Sequence, residues 1–177
     1  MYHICEKDYI SSNNYSSIFE KYPFPLDTFQ KYAIEAIEEG HNILVAVPTG
    51  SGKSLPGEYA IKKFCEAGKK VIYTSPIKAL SNQKHKEFSR KFPNISFGIV
   101  TGDTNNNSDA DCLIMTTEIL WKTLFQTQMK ENKSINSDKI ELHFNLQVKD
   151  IGAVIFDEFH YINDKFRGHV WKQTVKM

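Results

Sequence analysis

The chain has 177 residues, 41% of them hydrophobic, and a formal net charge of +1. That is enough length and apolar content for one packed domain with appendages, and the near-neutral charge excludes a globally basic nucleic-acid-coating protein. The three cysteines, Cys5, Cys65 and Cys112, are odd in number and far apart, which suits reduced thiols in an intracellular protein better than a disulfide framework. No apolar run approaches the ~20 residues of a membrane span, and residues 1–20 lack the apolar core of a signal peptide. The histidines show no zinc-site spacing.

Residues 1–23 are polar and turn-prone, with Ser11-Ser12-Asn13-Asn14, and read as an arm or a weakly ordered entry. Asp27 is a good N-cap for a helix over 28–39, and Gly40 is its stop. The apolar run 42–47 predicts a first strand. A glycine-bearing turn follows, then a helix to about residue 67, ended by Gly68. Pro56-Gly57 near the start of that helix predicts an irregular first turn. Further strands are expected at 70–74, 95–100, 112–115 and 151–156, with helices at 79–91 and 117–125 between them. The polar stretch 127–145 is long for a connection, so it is a mobile loop or a small hairpin, with one strand at 140–144. Alternating strand and helix means an α/β fold with a parallel sheet.

The turn after the first apolar run, Pro48-Thr49-Gly50-Ser51-Gly52-Lys53-Ser54, has the composition of a phosphate-binding loop. A triphosphate needs many donors close together, and backbone N–H groups can supply them where Gly50 and Gly52 carry no Cβ. A helix N-terminus adds donors and a positive dipole end. Lys53 would place a charge between the outer phosphates, and Ser54 would offer a hydroxyl to Mg²⁺. The bland alternative is a flexible Gly-Ser loop, and Val47 departs from the usual small first residue. The run 151–156 delivers Asp157-Glu158-Phe159-His160 at a strand C-terminus, where ligand sites of open α/β sheets lie. Opposite a magnesium nucleotide, Asp157 would hold the metal through its water shell and Glu158 would orient and deprotonate the attacking water. The structural alternative is an acidic helix start after a strand.

Five further segments occur in order: 74–84 (Thr74-Ser75-Pro76-Ile77-Lys78-Ala79-Leu80-Ser81-Asn82-Gln83-Lys84), Thr101-Gly102-Asp103, Met115-Thr116-Thr117-Glu118-Ile119-Leu120, 157–164 and Arg167-Gly168. Together with the phosphate loop they resemble the first motor domain of a superfamily 2 DExH-box helicase, nearest to the superkiller-like, exosome-associated RNA helicases. The resemblance covers about residues 22–171. It implies a RecA-like P-loop NTPase domain over 24–177, with a parallel sheet flanked by helices and a polar insertion about 127–145. It implies ATP and Mg²⁺ as cofactors, with Thr49, Gly50, Ser51, Gly52, Lys53 and Ser54 around the phosphates. Phe24 would pack on adenine, and Gln30 would read its edge with a two-sided amide. Read without the resemblance, Phe24 is a core aromatic and Gln30 a surface residue.

The resemblance also implies that Pro76, Lys78, Ala79, Gly102, Thr116 and Thr117 grip the backbone of single-stranded RNA, with weak, salt-sensitive, sequence-indifferent binding. Each Thr reads equally as a helix N-cap, and Gly102-Asp103 as an ordinary turn. His160 would couple the nucleotide site to a second RecA-like domain, or is a half-buried hydrogen-bonded histidine. Lys172 stands where the family commonly carries an acidic residue. The chain stops at Met177 before any Ser-Ala-Thr motif, so a domain lacking its C-terminal part and a central strand is expected, and poor ATP turnover by this chain alone. A non-catalytic nucleotide- or RNA-binding module, or a repair-type DNA helicase, are the competing readings. No membrane partner is implied.

Overall fold

Residues 8–10, 15–131 and 148–177 are described by a computed structural model. Most of the polar insertion, the strand expected at 140–144, and Cys5 lie outside the described residues. The chain divides into two compact units, Met1–Ala60 and Ile61–Met177.

The first unit holds α1 (Ser16–Phe19), α2 (Thr28–Glu38) and the first part of α3 (Leu55–Glu66), whose remainder from Ile61 belongs to the second. Asp27 sits at the N-cap of α2, and its N–H donates to the Gln30 side-chain carbonyl at 2.9 Å. Leu26, Ile34 and Leu55 form a small core, with Ile18, Phe19, Tyr22 and Tyr59 packed against it. Residues 18–22, expected as a loose entry, therefore fold: three apolar side chains within five positions find a face to bury. The strand expected over 42–47 is absent. That run joins no ladder among the described residues, and Ile43 and Leu44 are exposed. An apolar run becomes a strand only when a neighbour takes its N–H and C=O groups.

The second unit carries β1 (Lys70–Ser75), α4 (Lys78–Lys91), β2 (Phe97–Val100), β3 (Asn105–Asn106), β4 (Cys112–Thr116), α5 (Thr117–Glu131), β5 (Ile151–Phe156) and α6 (Gly168–Lys176). The sheet order is β3-β2-β4-β1-β5. All pairings are parallel except the short β2–β3 hairpin. Central β1 and β4 are buried on both faces, which is why they read as unbroken apolar runs. Their alternation feeds two cores: Val71 and Tyr73 join Ile61, Phe88, Phe97, Cys112 and Ile114 on one face, while Ile72 joins Val100, Leu113, Met115 and Leu120 on the other. Phe88 is fully buried, so truncation to Ala would cost about 3–5 kcal/mol. Helix α5 runs further than the expected 125 because residues 126–131 continue the turn, and α6 forms over a segment for which no element was expected.

The registers align the strand ends. Ser75 lies opposite Thr116, and Thr74 opposite Phe156. The segments that follow β1, β4 and β5 therefore leave the same carboxyl edge of the sheet.

Candidate functional site

The phosphate-loop segment belongs to the first unit. Gly50 and Gly52 both have left-handed backbones, with φ of +85° and +76°. A Cβ on Gly52 would lie 2.7 Å from the Gln30 side-chain nitrogen, so beyond the left-handed backbone that favours glycine, any side chain here would push the Gln30 amide aside. Gln30 is buried. Its amide nitrogen donates to the Gly52 carbonyl at 3.2 Å while its oxygen accepts from Asp27. One side chain thus ties the start of α2 to the loop, and the buried amide keeps one N–H and one lone pair for a ligand. Ser51 Oγ donates to the Pro48 carbonyl at 2.7 Å. Lys53 and Ser54 lie in a turn just before α3, and Leu55 N–H donates to Gly52. The irregular start expected from Pro56-Gly57 takes this form: the helix opens one residue before the proline. Phe24 is half exposed and lines an open hollow of about 480 Å³ with Tyr22, Pro23, Pro25, Leu26 and Lys31.

The acidic segment belongs to the second unit and leaves β5. Asp157 N–H donates to the Thr74 carbonyl at 2.9 Å, extending the β1–β5 ladder by one rung. Its carboxylate is held at both oxygens: Tyr73 OH donates to Oδ2 at 2.7 Å, and Glu158 N–H donates to Oδ1 at 3.0 Å. Glu158 has φ of +52°, a left-handed backbone that non-glycine residues adopt at a cost. That turn aims Glu158 away from the strand direction, and its carboxylate meets His160 Nδ1 at 3.2 Å. His160 itself is largely exposed. An aromatic group anchors residues 159–161 behind it, with the buried Trp171 contacting Phe156, Phe159 and Tyr161 at centroid distances of 5.9–6.4 Å.

The same carboxyl edge carries the ends of β1 and β4. Pro76 and Ile77 lead into α4, where Lys78 and Ala79 are exposed. Thr116 closes β4 and is partly exposed. Thr117 is fully buried, and its hydroxyl has no hydrogen-bond partner among the described residues. A surface contact from that hydroxyl, as expected from the motif, does not fit this packing, and Thr116 is the hydroxyl within reach of a ligand. Gly102 and Asp103 form the turn of the β2–β3 hairpin. Asp103 pairs with Lys78 and accepts from Thr101 Oγ1 at 3.0 Å, and these bonds, Lys78 foremost, hold its carboxyl below the usual range.

The family model of the DEAD/DEAH box helicase matches residues 27–177. The chain belongs to the DEAD/DEAH box helicase family. It is 45% identical over 156 residues to the antiviral helicase SKI2 of Saccharomyces cerevisiae, a match covering 88% of this chain and 11% of that protein. It is 39% identical over 156 residues to the exosome RNA helicase MTR4 of Homo sapiens, covering 88% of this chain and 13% of that one. Among solved structures it resembles the DUF1998 helicase MrfA bound to DNA and AMPPNP, with a TM-score of 0.64, 18% identity, and coverage of 93% of this chain and 23% of that one. At that identity the likeness speaks for the fold, which is the RecA-like α/β arrangement. The chain thus spans about an eighth of the length of these two curated relatives.

Within this helicase domain, three side chains have partners that the sequence reading did not assign, although Asp164 and Arg167 stand in segments it singled out. Tyr73 anchors Asp157 across 84 residues of chain. Asp164 caps the next turn, its Oδ1 accepting from Phe166 and Arg167 N–H groups at 2.9 and 2.8 Å. Arg167 reaches the Pro76 carbonyl. Only Asp164 had a local signal, a cap residue three positions before Arg167; the others depend on pairings that no spacing reveals. Cys65 and Cys112 are free thiols; burial, followed by neighbouring acids, pushes Cys65 up to about 12. Among the described residues no helix is long and apolar enough to cross a membrane.

Proposed function

We propose that this chain is the ATP-binding part of an ATP-dependent RNA helicase, coupling ATP hydrolysis to RNA unwinding or remodelling, with the motor domain running from about residue 24 onward. The observation that carries this reading is the shared carboxyl edge of one parallel sheet. There β5 leads into an acidic pair whose first member is clamped by Tyr73, while β4 ends on Thr116 and the segment after β1 leads to Lys78 at the start of α4. In this reading the Gly50–Ser54 backbone and Lys53 hold the ATP phosphates, Phe24 packs on adenine, and Gln30 uses its remaining N–H and lone pair at the base edge. Ser54 and Asp157 are the residues that would hold Mg²⁺. Asp157 fits a water-mediated role, because each oxygen already accepts one hydrogen bond and retains a lone pair. When bound, the ion neutralises charge developing on the phosphates. Glu158 is the general base, its position set by the left-handed turn and by His160. Single-stranded RNA lies along Lys78, Ala79, Gly102 and Thr116, with Pro76, which is buried, behind them rather than against the strand, and a second RecA-like domain supplies the groups that stabilise the transferred phosphoryl. Relatives whose names include RNA helicase, at 39–42% identity, support RNA over DNA.

Two variants test this. Lys53→Ala removes a charge-assisted contact of about 1.5–3 kcal/mol and should weaken Mg-ATP binding by ~10- to 100-fold in calorimetry. Glu158→Gln should leave binding in place and abolish RNA-stimulated turnover in a protein that carries both motor domains. Unchanged affinity in the first, or retained turnover in the second, refutes the reading. Stimulation by single-stranded DNA alone would move the substrate class.

A further inference from the structure

We infer that Arg167 is a positioning residue that holds the two strand-gripping segments, the one after β1 and the one after β4, in fixed relation to each other. The inference rests on the proposed RNA reading of those segments.

The sheet aligns Ser75 with Thr116, but beyond those residues no ladder continues, and each segment departs into its own helix. Arg167 spans that gap. Its Nη1 donates to the Pro76 carbonyl at 2.5 Å, and its Nε lies 3.2 Å from Glu118 Oε1. Pro76 stands two residues before Lys78, and Glu118 two residues after Thr116. One planar guanidinium therefore contacts both segments, each close to the residue proposed to touch the strand. Glu118 Oε1 is buried without a well-aligned hydrogen bond of its own. We read the contact as an ion pair, in which Arg167 offsets the desolvation of that one oxygen on an otherwise partly exposed carboxylate.

The arginine is itself held from behind. Its N–H and that of Phe166 donate to Asp164 Oδ1, and Gly168 N–H donates to the Asp164 carbonyl at 3.0 Å. Gly168 packs so close that a Cβ would lie 2.5 Å from the Ile162 carbonyl oxygen. Trp171, fully buried, fixes the helix α6. The base of the side chain is thus rigid, while the guanidinium, partly exposed, sits where two loops need a spacer. Lysine cannot replace it, since a single ammonium lacks the planar fork that serves two acceptors.

The experiment measures anisotropy of a short fluorescein-labelled oligouridylate with the full chain, well below its melting temperature, together with amide exchange over residues 77–78 and 116–118. Arg167→Ala should weaken RNA binding about tenfold, the size of losing one charge-assisted contact. Arg167→Lys should recover only part of that loss, and Glu118→Gln should act in the same direction by a smaller factor. In a Lys78→Ala background the further loss from Arg167→Ala should shrink, because the two act through one contact. Amides at 77–78 and 116–118 should exchange faster in each Arg167 variant. Full additivity with Lys78→Ala would mean that Arg167 touches the strand itself, and overturns the inference. RNA affinity unchanged by Arg167→Ala while Lys78→Ala weakens it also overturns the inference. If neither Lys78→Ala nor Thr116→Ala alters RNA affinity, the RNA reading fails instead. Amide exchange then decides the positioning role alone, and unaltered exchange rejects it. Should Arg167→Ala fail to fold, Glu118→Gln and Arg167→Lys carry the same comparison.

Discussion

The phosphate-loop segment and the acidic segment are shaped by opposite means. Between Pro48 and Ser54, two left-handed glycines set the path, supported by Gln30 and by the Ser51–Pro48 bond. Between Asp157 and Gly168, contacts set the path: a ladder rung, Tyr73 on the carboxylate, an aspartate cap, and aromatic rings around Trp171. The difference reflects the chemistry each is proposed to do. A loop that must wrap a polyanion keeps its backbone donors for the ligand, so its shape has to come from dihedral preference. A carboxylate that must meet one water at one angle needs its orientation fixed in advance.

This contrast predicts how each region breaks. Gly52→Ala should be the most damaging single methyl in the first unit. It places a side chain at φ +76° with a contact of 2.7 Å, and the left-handed strain alone is worth about 1–2 kcal/mol, read as a lowered urea midpoint and lost ATP binding. Tyr73→Phe removes no packing volume but leaves Asp157 Oδ2 without its donor. It should cost ~1 kcal/mol and lower turnover more than nucleotide affinity, a split that Gly52→Ala would not show. The smallest effect concerns acid. Hydrogen bonds from Arg167 and then Phe166 N–H hold the Asp164 carboxyl below its ordinary 3.8. A depressed folded value means that the cap stabilises above 3.8 and is lost as pH falls through the lowered value. Amides at 166–168 should lose protection in that window, while those at 49–52 should not change with them. Asp164→Asn keeps an acceptor but has nothing to protonate, so its profile should be flat.

The sequence was legible where a single local property decides the outcome. Buried strands β1 and β4 announce themselves by unbroken apolar runs, the glycines of 48–54 by composition, and the start of α2 by Asp27. It was illegible where partners decide. Residues 42–47 are as apolar as a strand, yet hydropathy does not say whether a ladder neighbour exists. β3 is two asparagines, poor strand formers that pair only because the hairpin turn at Gly102-Asp103 brings them back onto β2. Gln30 has the polarity of a surface residue, and its burial reflects a bond to Gly52. Tyr73 and Arg167 sit among ordinary neighbours and gain roles only once the sheet places 157 beside 73 and 167 beside 76.

The pairing of Lys78 with Asp103 changes how any RNA titration should be interpreted. The salt dependence of nucleic-acid binding counts the cations that leave the phosphate backbone when protein cations neutralise it. Here the cation already holds a carboxylate as its own counterion, tethered by the hairpin turn and steadied by Thr101. An arriving phosphate displaces that carboxylate, which stays beside the strand as a free anion and attracts a cation back, offsetting part of the release. If Lys78 grips RNA as proposed, it does so without its full share of the salt slope, and the slope measured with this chain should undercount the lysines proposed to line the strand.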